Sequence, residues 1–201
     1  MPQNELAVPL SPRFADALRL CYEKHRTQPR KVTQIPYVSH PLAVASIVLE
    51  NGGTEDEAIA GLLHDVPEDC GGLAALEDIR ARFGDAVADI VAGCSDTFES
   101  PKPDWGPRKQ RYLEHLKQAS PSVCLVAAAD KLHNARAILG DYQTVREELW
   151  ERFSAGGPEG VLWYYQSCAG ALNGRVPPRL GDELSTTVRR ICAMAAGNPT
   201  E

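Results

Sequence analysis

The chain has 201 residues, of which 43% are hydrophobic and 24% charged, with a formal net charge of −6. That is the usual size of one domain, able to bury a core without disulfide or metal staples, and its acidic balance argues against nucleic acid as a partner. The longest apolar stretches, Leu42 to Leu49 and Val123 to Ala129, fall far short of the roughly 20 residues that span a bilayer, so no membrane partner is expected.

Apolar residues recur at three and four spacing almost throughout, with no convincing alternating run. The expectation is therefore one all-α domain over residues 1–201, a bundle of about eight to ten helices. Met1-Pro2-Gln3-Asn4-Glu5 carries no basic segment followed by an apolar one, so a cytoplasmic location is expected. Phe14, Ala17, Leu18, Cys21 and Tyr22 make the first helical stripe, ending before an irregular stretch from Thr27 to Ser39. His40-Pro41 opens a second helix that stops at Asn51-Gly52-Gly53, and Thr54 with Glu57 resembles a capping box for a third. Pro67 falls late in that third helix, leaving Glu68 and Asp69 at a frayed end before Cys70-Gly71-Gly72.

Leu76, Ile79 and Phe83 form a short helix closed by Gly84, and Asp85 is placed to cap the next, which runs to Cys94. After a loop from Ser95 to Pro107, helices are expected over 108–119, 121–139, 142–153, 158–173 and 182–196. The six cysteines form no Cys-x-x-Cys pair and read as buried free thiols.

The chemistry concentrates in His64-Asp65-Val66-Pro67-Glu68-Asp69. In a continuous helix these ionisable groups share neighbouring faces, and like charges so placed destabilise it unless a cation sits between them. The apolar run Ala58 to Leu63 just before them predicts emergence from a core, where charges need partners. Surface acids beside a core histidine would explain the cluster equally well unless other donors join it. Asp130 qualifies because it follows the apolar run from Val123, and adjacent Lys131 is expected to pair with it poorly. His40, at a helix start, is the other. Two histidines and two aspartates suit manganese, iron or zinc better than calcium.

Four segments in order resemble the hydrolase half of RelA/SpoT-type enzymes, and most of all their stand-alone small alarmone hydrolases, in the HD-domain superfamily. They are His25 to Lys31, Pro36-Tyr37-Val38-Ser39-His40-Pro41, His64 to Asp69, and Ala129-Asp130-Lys131-Leu132-His133-Asn134. The likeness runs from about residue 14 to 170, leaving 175–201 as a C-terminal helix and tail. It implies an HD-domain helical bundle, a small-molecule nucleotide substrate, and one Mn²⁺ per chain held by His40, His64, Asp65 and Asp130. It further implies that Glu68 and Asp69 orient and activate the attacking water, that Arg30 and Lys31 line the phosphate or nucleotide pocket, and that Asn134 contacts the ribose. A homodimer is compatible with it.

Arg108, Lys109 and Arg111 after the proline-rich loop are either further phosphate contacts or an exposed basic face. Within Trp163-Tyr164-Tyr165, Tyr164 is a candidate for the substrate's base or a phosphate, against the alternative of a core aromatic. His25, His115 and His133 are expected to be structural, with His25 bracing the Arg30 loop. Where these hydrolases usually carry an acidic residue followed by Val-Thr, this chain has Gly93-Cys94-Ser95-Asp96. That leaves NADPH 2′-phosphate or a nucleoside phosphate as alternative substrates, and a silent nucleotide-binding sensor as an alternative role. No synthetase half is expected in the remaining residues.

Overall fold

The computed structural model describes residues 8–31, 33–153 and 157–197. The reading of Met1 to Glu5 and the end of the C-terminal tail lie outside them. The described residues form ten α-helices: α1 Pro12–His25, α2 Ser39–Glu50, α3 Glu55–Leu63, α4 Val66–Cys70, α5 Gly72–Phe83, α6 Asp85–Cys94, α7 Trp105–Gln118, α8 Pro121–Val145, α9 Gly157–Leu172 and α10 Pro178–Ala195. A 3-10 helix, Arg146–Arg152, joins α8 to α9, and no strand occurs among the described residues beyond an isolated bridge between Pro29 and Pro36.

The core is built on α2, α3 and α8, which pack on one another; α9 and α10 cover α8, while α1 and α6 lie against α3. The expected capping box is present at Thr54 and Glu57, and every residue from Ala58 to Leu63 is buried, so α3 is enclosed all round. α8 starts on a Ser120 cap and is buried without a break from Val123 to Leu132, which carries Asp130 into the interior. Gly61 lets α3 approach α2 closely: a Cβ there would stand 3.3 Å from the Ala45 backbone.

Several expectations need correction. The buried stripe of α1 is Ala17, Leu20, Cys21 and His25, while Leu18 and Tyr22 face solvent. Pro67 does not lie in α3. Its ring would crowd the Leu63 carbonyl and it has no N–H to give, so α3 stops at Leu63, and α4 begins with Pro67 in its first turn, where no donor is required. His64 and Asp65 are therefore the junction between two helices. Asp85 does not cap α6 but pairs with Arg80 at 2.8 Å.

The helices expected over 121–139 and 142–153 are instead one long α8 followed by the 3-10 turn. Exposed Gly140 is tolerated because Ile138, Leu139 and Tyr142 keep burying the next turn, and the break comes at Arg146, whose φ is +53°. α7 and α10 each begin a few residues earlier than expected.

Candidate metal centre and active site

The first turn of α2 delivers His40, the α3–α4 junction delivers His64 and Asp65, and mid-α8 delivers Asp130. One ligand atom from each of His40, His64 and Asp65 lies within 4.8 Å of the others. His40 Nε2 is 3.4 Å from Asp65 Oδ2 and 3.2 Å from Asp130 Oδ1. His64 Nε2 is 3.1 and 3.8 Å from the same two atoms, so Asp130 closes the group from the α8 side.

Hydrogen bonds behind the rings settle which nitrogens face inward. His64 Nδ1 donates to the Gly61 carbonyl at 2.9 Å, which leaves Nε2 as the bare nitrogen, buried and with no hydrogen-bond partner. Such an orphan is expected where another species takes the lone pair. His40 Nδ1 lies 2.7 Å from His133 Nδ1, which Arg30 Nη1 also approaches at 3.3 Å. Arginine only donates, so His133 Nδ1 accepts, His40 Nδ1 donates, and His40 Nε2 is bare as well. Two imidazole nitrogens and two carboxylates on one point fit a divalent transition metal.

Electrostatics agree. Burial alone would push the Asp65 carboxyl up, yet His64 and His40 hold it well below its usual range. Burial acts likewise on Asp130, but Lys131 and the two histidines outweigh it. Burial would lower His64, and Asp65 and Asp130 raise it instead, so the cluster favours positive charge at its centre.

The supporting contacts are dense. Tyr37 OH donates to Asp65 Oδ2 at 2.5 Å, and Asn134 Nδ2 to Asp130 Oδ1 at 2.6 Å. Lys131, expected to pair poorly with its neighbour, donates to Asp130 Oδ2 at 2.5 Å. Its long chain folds back past the helix backbone, and its ammonium sits 5.4 Å from the Tyr112 ring centre and 5.6 Å from that of Tyr164. His133, expected to be structural, lies against His40.

Glu68 and Asp69 stand beside this centre on α4. Glu68 Oε1 accepts from the Asp96 N–H at 2.9 Å and Oε2 from Lys102 Nζ at 3.1 Å, while Asp69 Oδ2 accepts from Gln28 Nε2 at 2.9 Å. Gln28 is in turn held by His25 Nδ1 at 2.8 Å, so His25 does brace this loop. Burial, with Asp96 and Asp65 nearby, raises the Glu68 carboxyl, against the pull of the Asp96 N–H and Lys102. Lys102 was not singled out in the sequence, and Asp96 stood out there only as part of the Gly93-to-Asp96 departure from the family pattern.

Asp96 also engages Arg108 and Lys109. Arg108 Nη1 and Lys109 Nζ both bind its Oδ2, the latter at 2.6 Å. Arg108 is only 8% exposed, and both cations fasten the loop after α6 to α7, while Arg111 is exposed. Arg30, expected to line the substrate pocket, gives Nη2 to Asn134 Oδ1 at 2.9 Å as well as reaching His133.

Beside the centre, Arg30, Lys31, Tyr37 and Asn134 border a cavity of about 200 Å³, and Lys31, Phe153 and Tyr165 continue into a neighbouring one of about 190 Å³ lined also by Lys109 and Tyr164. Tyr164 is itself buried, and its hydroxyl has no hydrogen-bond partner. Tyr165 belongs to the aromatic triplet noted in the sequence, whereas Phe153 has no local signal there. A larger cavity of about 620 Å³ between α7 and α9 holds none of the donors.

Residues 17–154 match the family model described as an HD domain. A guanosine-3′,5′-bis(diphosphate) 3′-pyrophosphohydrolase of Xenopus tropicalis is 40% identical over 124 residues, covering 60% of this chain and 66% of the relative, and its human counterpart is 36% identical over the same shares. The match thus spans just under two thirds of these relatives. Among solved structures, a metazoan ortholog of SpoT that hydrolyzes ppGpp is similar with a TM-score of 0.72 at 26% identity, over 90% of this chain and 97% of that one. A Listeria monocytogenes protein follows with a TM-score of 0.66 at 32% identity, over 76% and 97%.

Proposed function

The chain belongs to the HD-domain family, and we propose that it is a metal-dependent phosphohydrolase that removes the 3′-pyrophosphate of ppGpp or pppGpp, releasing pyrophosphate and GDP or GTP. The observation that carries this reading is the pair of bare, inward-facing Nε2 atoms of His40 and His64, set against Asp65 and Asp130 with Glu68 and Asp69 alongside. The activities named for the metazoan relatives and for the SpoT ortholog support the substrate.

His40, His64, Asp65 and Asp130 would hold the cation, for which Mn²⁺ is our proposal, and when bound it supplies Lewis acidity to the water and the phosphoryl group. Glu68 then takes the proton of the attacking water. Its raised pKa makes it a stronger base than a solvated glutamate, and Lys102 opposes that rise. Asp69, fixed by Gln28, orients that water. Arg30 and Lys31 offset phosphate charge at the cleft, Asn134 lies within reach of the ribose, and Phe153 and Tyr165 offer flat faces to a base. Among the described residues no helix is long and apolar enough to cross a membrane, and six free thiols are what a reducing cytoplasm permits.

The test is a panel of ppGpp, pppGpp, NADPH and nucleoside monophosphates with the purified chain and Mn²⁺, read by product analysis. Pyrophosphate with GDP from ppGpp is expected. Release of phosphate from NADPH or a monophosphate with ppGpp untouched replaces the substrate, and no turnover of any member removes the enzyme reading in favour of a binding protein.

A further inference from the structure

We propose that His133, with Arg30 behind it, is a positioning residue that holds His40 in the one tautomer able to serve as a metal donor. The inference rests on the reading of His40 as a donor. Left to itself, either ring nitrogen of a neutral histidine can carry the proton. With the proton on Nε2, His40 would point an N–H at the centre and offer no lone pair.

His64 solves this problem with a backbone carbonyl, Gly61 O, at 2.9 Å. His40 makes no such bond; its Nδ1 meets the His133 Nδ1 at 2.7 Å. A second histidine is an ambiguous partner, because its own Nδ1 can donate or accept. Arg30 removes the ambiguity: its Nη1, which can only donate, points at the same His133 nitrogen from 3.3 Å. A proton on that nitrogen would face the guanidinium, so His133 protonates at Nε2, accepts at Nδ1, and draws the His40 proton to its outer nitrogen.

The same guanidinium acts on a second donor. Arg30 Nη2 binds Asn134 Oδ1 at 2.9 Å, which turns the Asn134 amide so that Nδ2 donates to Asp130 Oδ1 at 2.6 Å. One cation on the loop before α2 therefore orients donors on α2 and α8 through two adjacent residues of α8.

The test compares His133→Asn, His133→Gln and His133→Phe by titrating the metal-free full chain with Mn²⁺ and reading free metal by electron paramagnetic resonance. An Asn carbonyl sits where Nδ1 was, whereas a Gln carbonyl reaches toward the former Nε2. The expected result is near-parental affinity in H133N and a loss of about 10- to 100-fold in H133Q and H133F, the size typical of a group orienting a metal ligand. Equal affinity of H133N and H133Q overturns the proposal, whether or not H133F folds. Failure of the parent chain itself to bind Mn²⁺ overturns the donor reading, and this inference with it. Parental binding by all three variants overturns this inference alone.

Discussion

Gly61→Ala tests whether the spacing of α2 and α3 sets the metal centre. The new Cβ would lie 3.3 Å from both Cα and N of Ala45 and 3.5 Å from Val44 Cγ1. Ordinary carbon contacts fall at about 3.5–4.0 Å, and the first two atoms are backbone that no rotamer change can move, so the helices must part by about 0.4 Å. His40 rides on α2, while His64 caps α3 and is steered by the Gly61 carbonyl itself. Metal sites tolerate departures of about 0.2 Å, so the parting is large for the donors. It is small for the fold: overpacking costs about 1–3 kcal/mol and the helix gains about 1 from losing glycine, a net loss of about 0–2 kcal/mol. The expected variant is folded and slightly destabilised by urea titration in chelator, yet binds Mn²⁺ at least about 10-fold more weakly, or about 1.4 kcal/mol. Unchanged Mn²⁺ affinity in a variant whose stability has fallen would refute the reasoning, because the donors would then not depend on this interface.

Three further predictions concern Glu68. In Glu68→Gln, turnover should fall by about 10²- to 10⁴-fold while Mn²⁺ binding persists; comparable loss of binding would place Glu68 among the donors. Because its pKa is raised in the fold, ionising Glu68 costs stability: the cost is absent below the ordinary glutamate range, grows as pH rises toward the raised value, and is complete above it. Glu68→Gln should therefore melt higher than the parent at pH 7, with the gap closing at about pH 4 and below. Lys102→Gln removes a cation that holds Glu68 down, so the acid limb of the pH–rate profile should move to higher pH. A limb that stays in place would show that Glu68 is not the titrating base.

The candidate donors were legible for different reasons. His64 and Asp65 followed from acids emerging out of a buried apolar run, and Asp130 from a carboxylate after another. Without family resemblance His40 had only its helix start. What escaped was set by crossings between segments remote in the chain. Lys102 reaches Glu68 only because the loop after α6 passes over α4, and Asp96 meets Arg108 and Lys109 only where α7 turns back. His133 sits 93 positions from His40, beyond any helical periodicity. The break before Pro67 was readable, since a proline there forbids the Leu63 bond, but the argument from shared helix faces had assumed continuity. Lys131 escaped because adjacency was judged from Cβ directions and not from the reach of a long side chain.

The loop between α1 and α2 has an implication for how the proposed nucleotide substrate would arrive. Gln28 is fastened to Asp69, Arg30 to His133 and Asn134, and Tyr37 to Asp65, with Pro29 and Pro36 bridged across its base. It works as a splint. Lifting it as a flap would unseat the groups it braces, so this rim must already stand in its final shape when the substrate lands. Ordering entropy on that side is thereby settled during folding, and association there should run at the pace of encounter and not of loop closure.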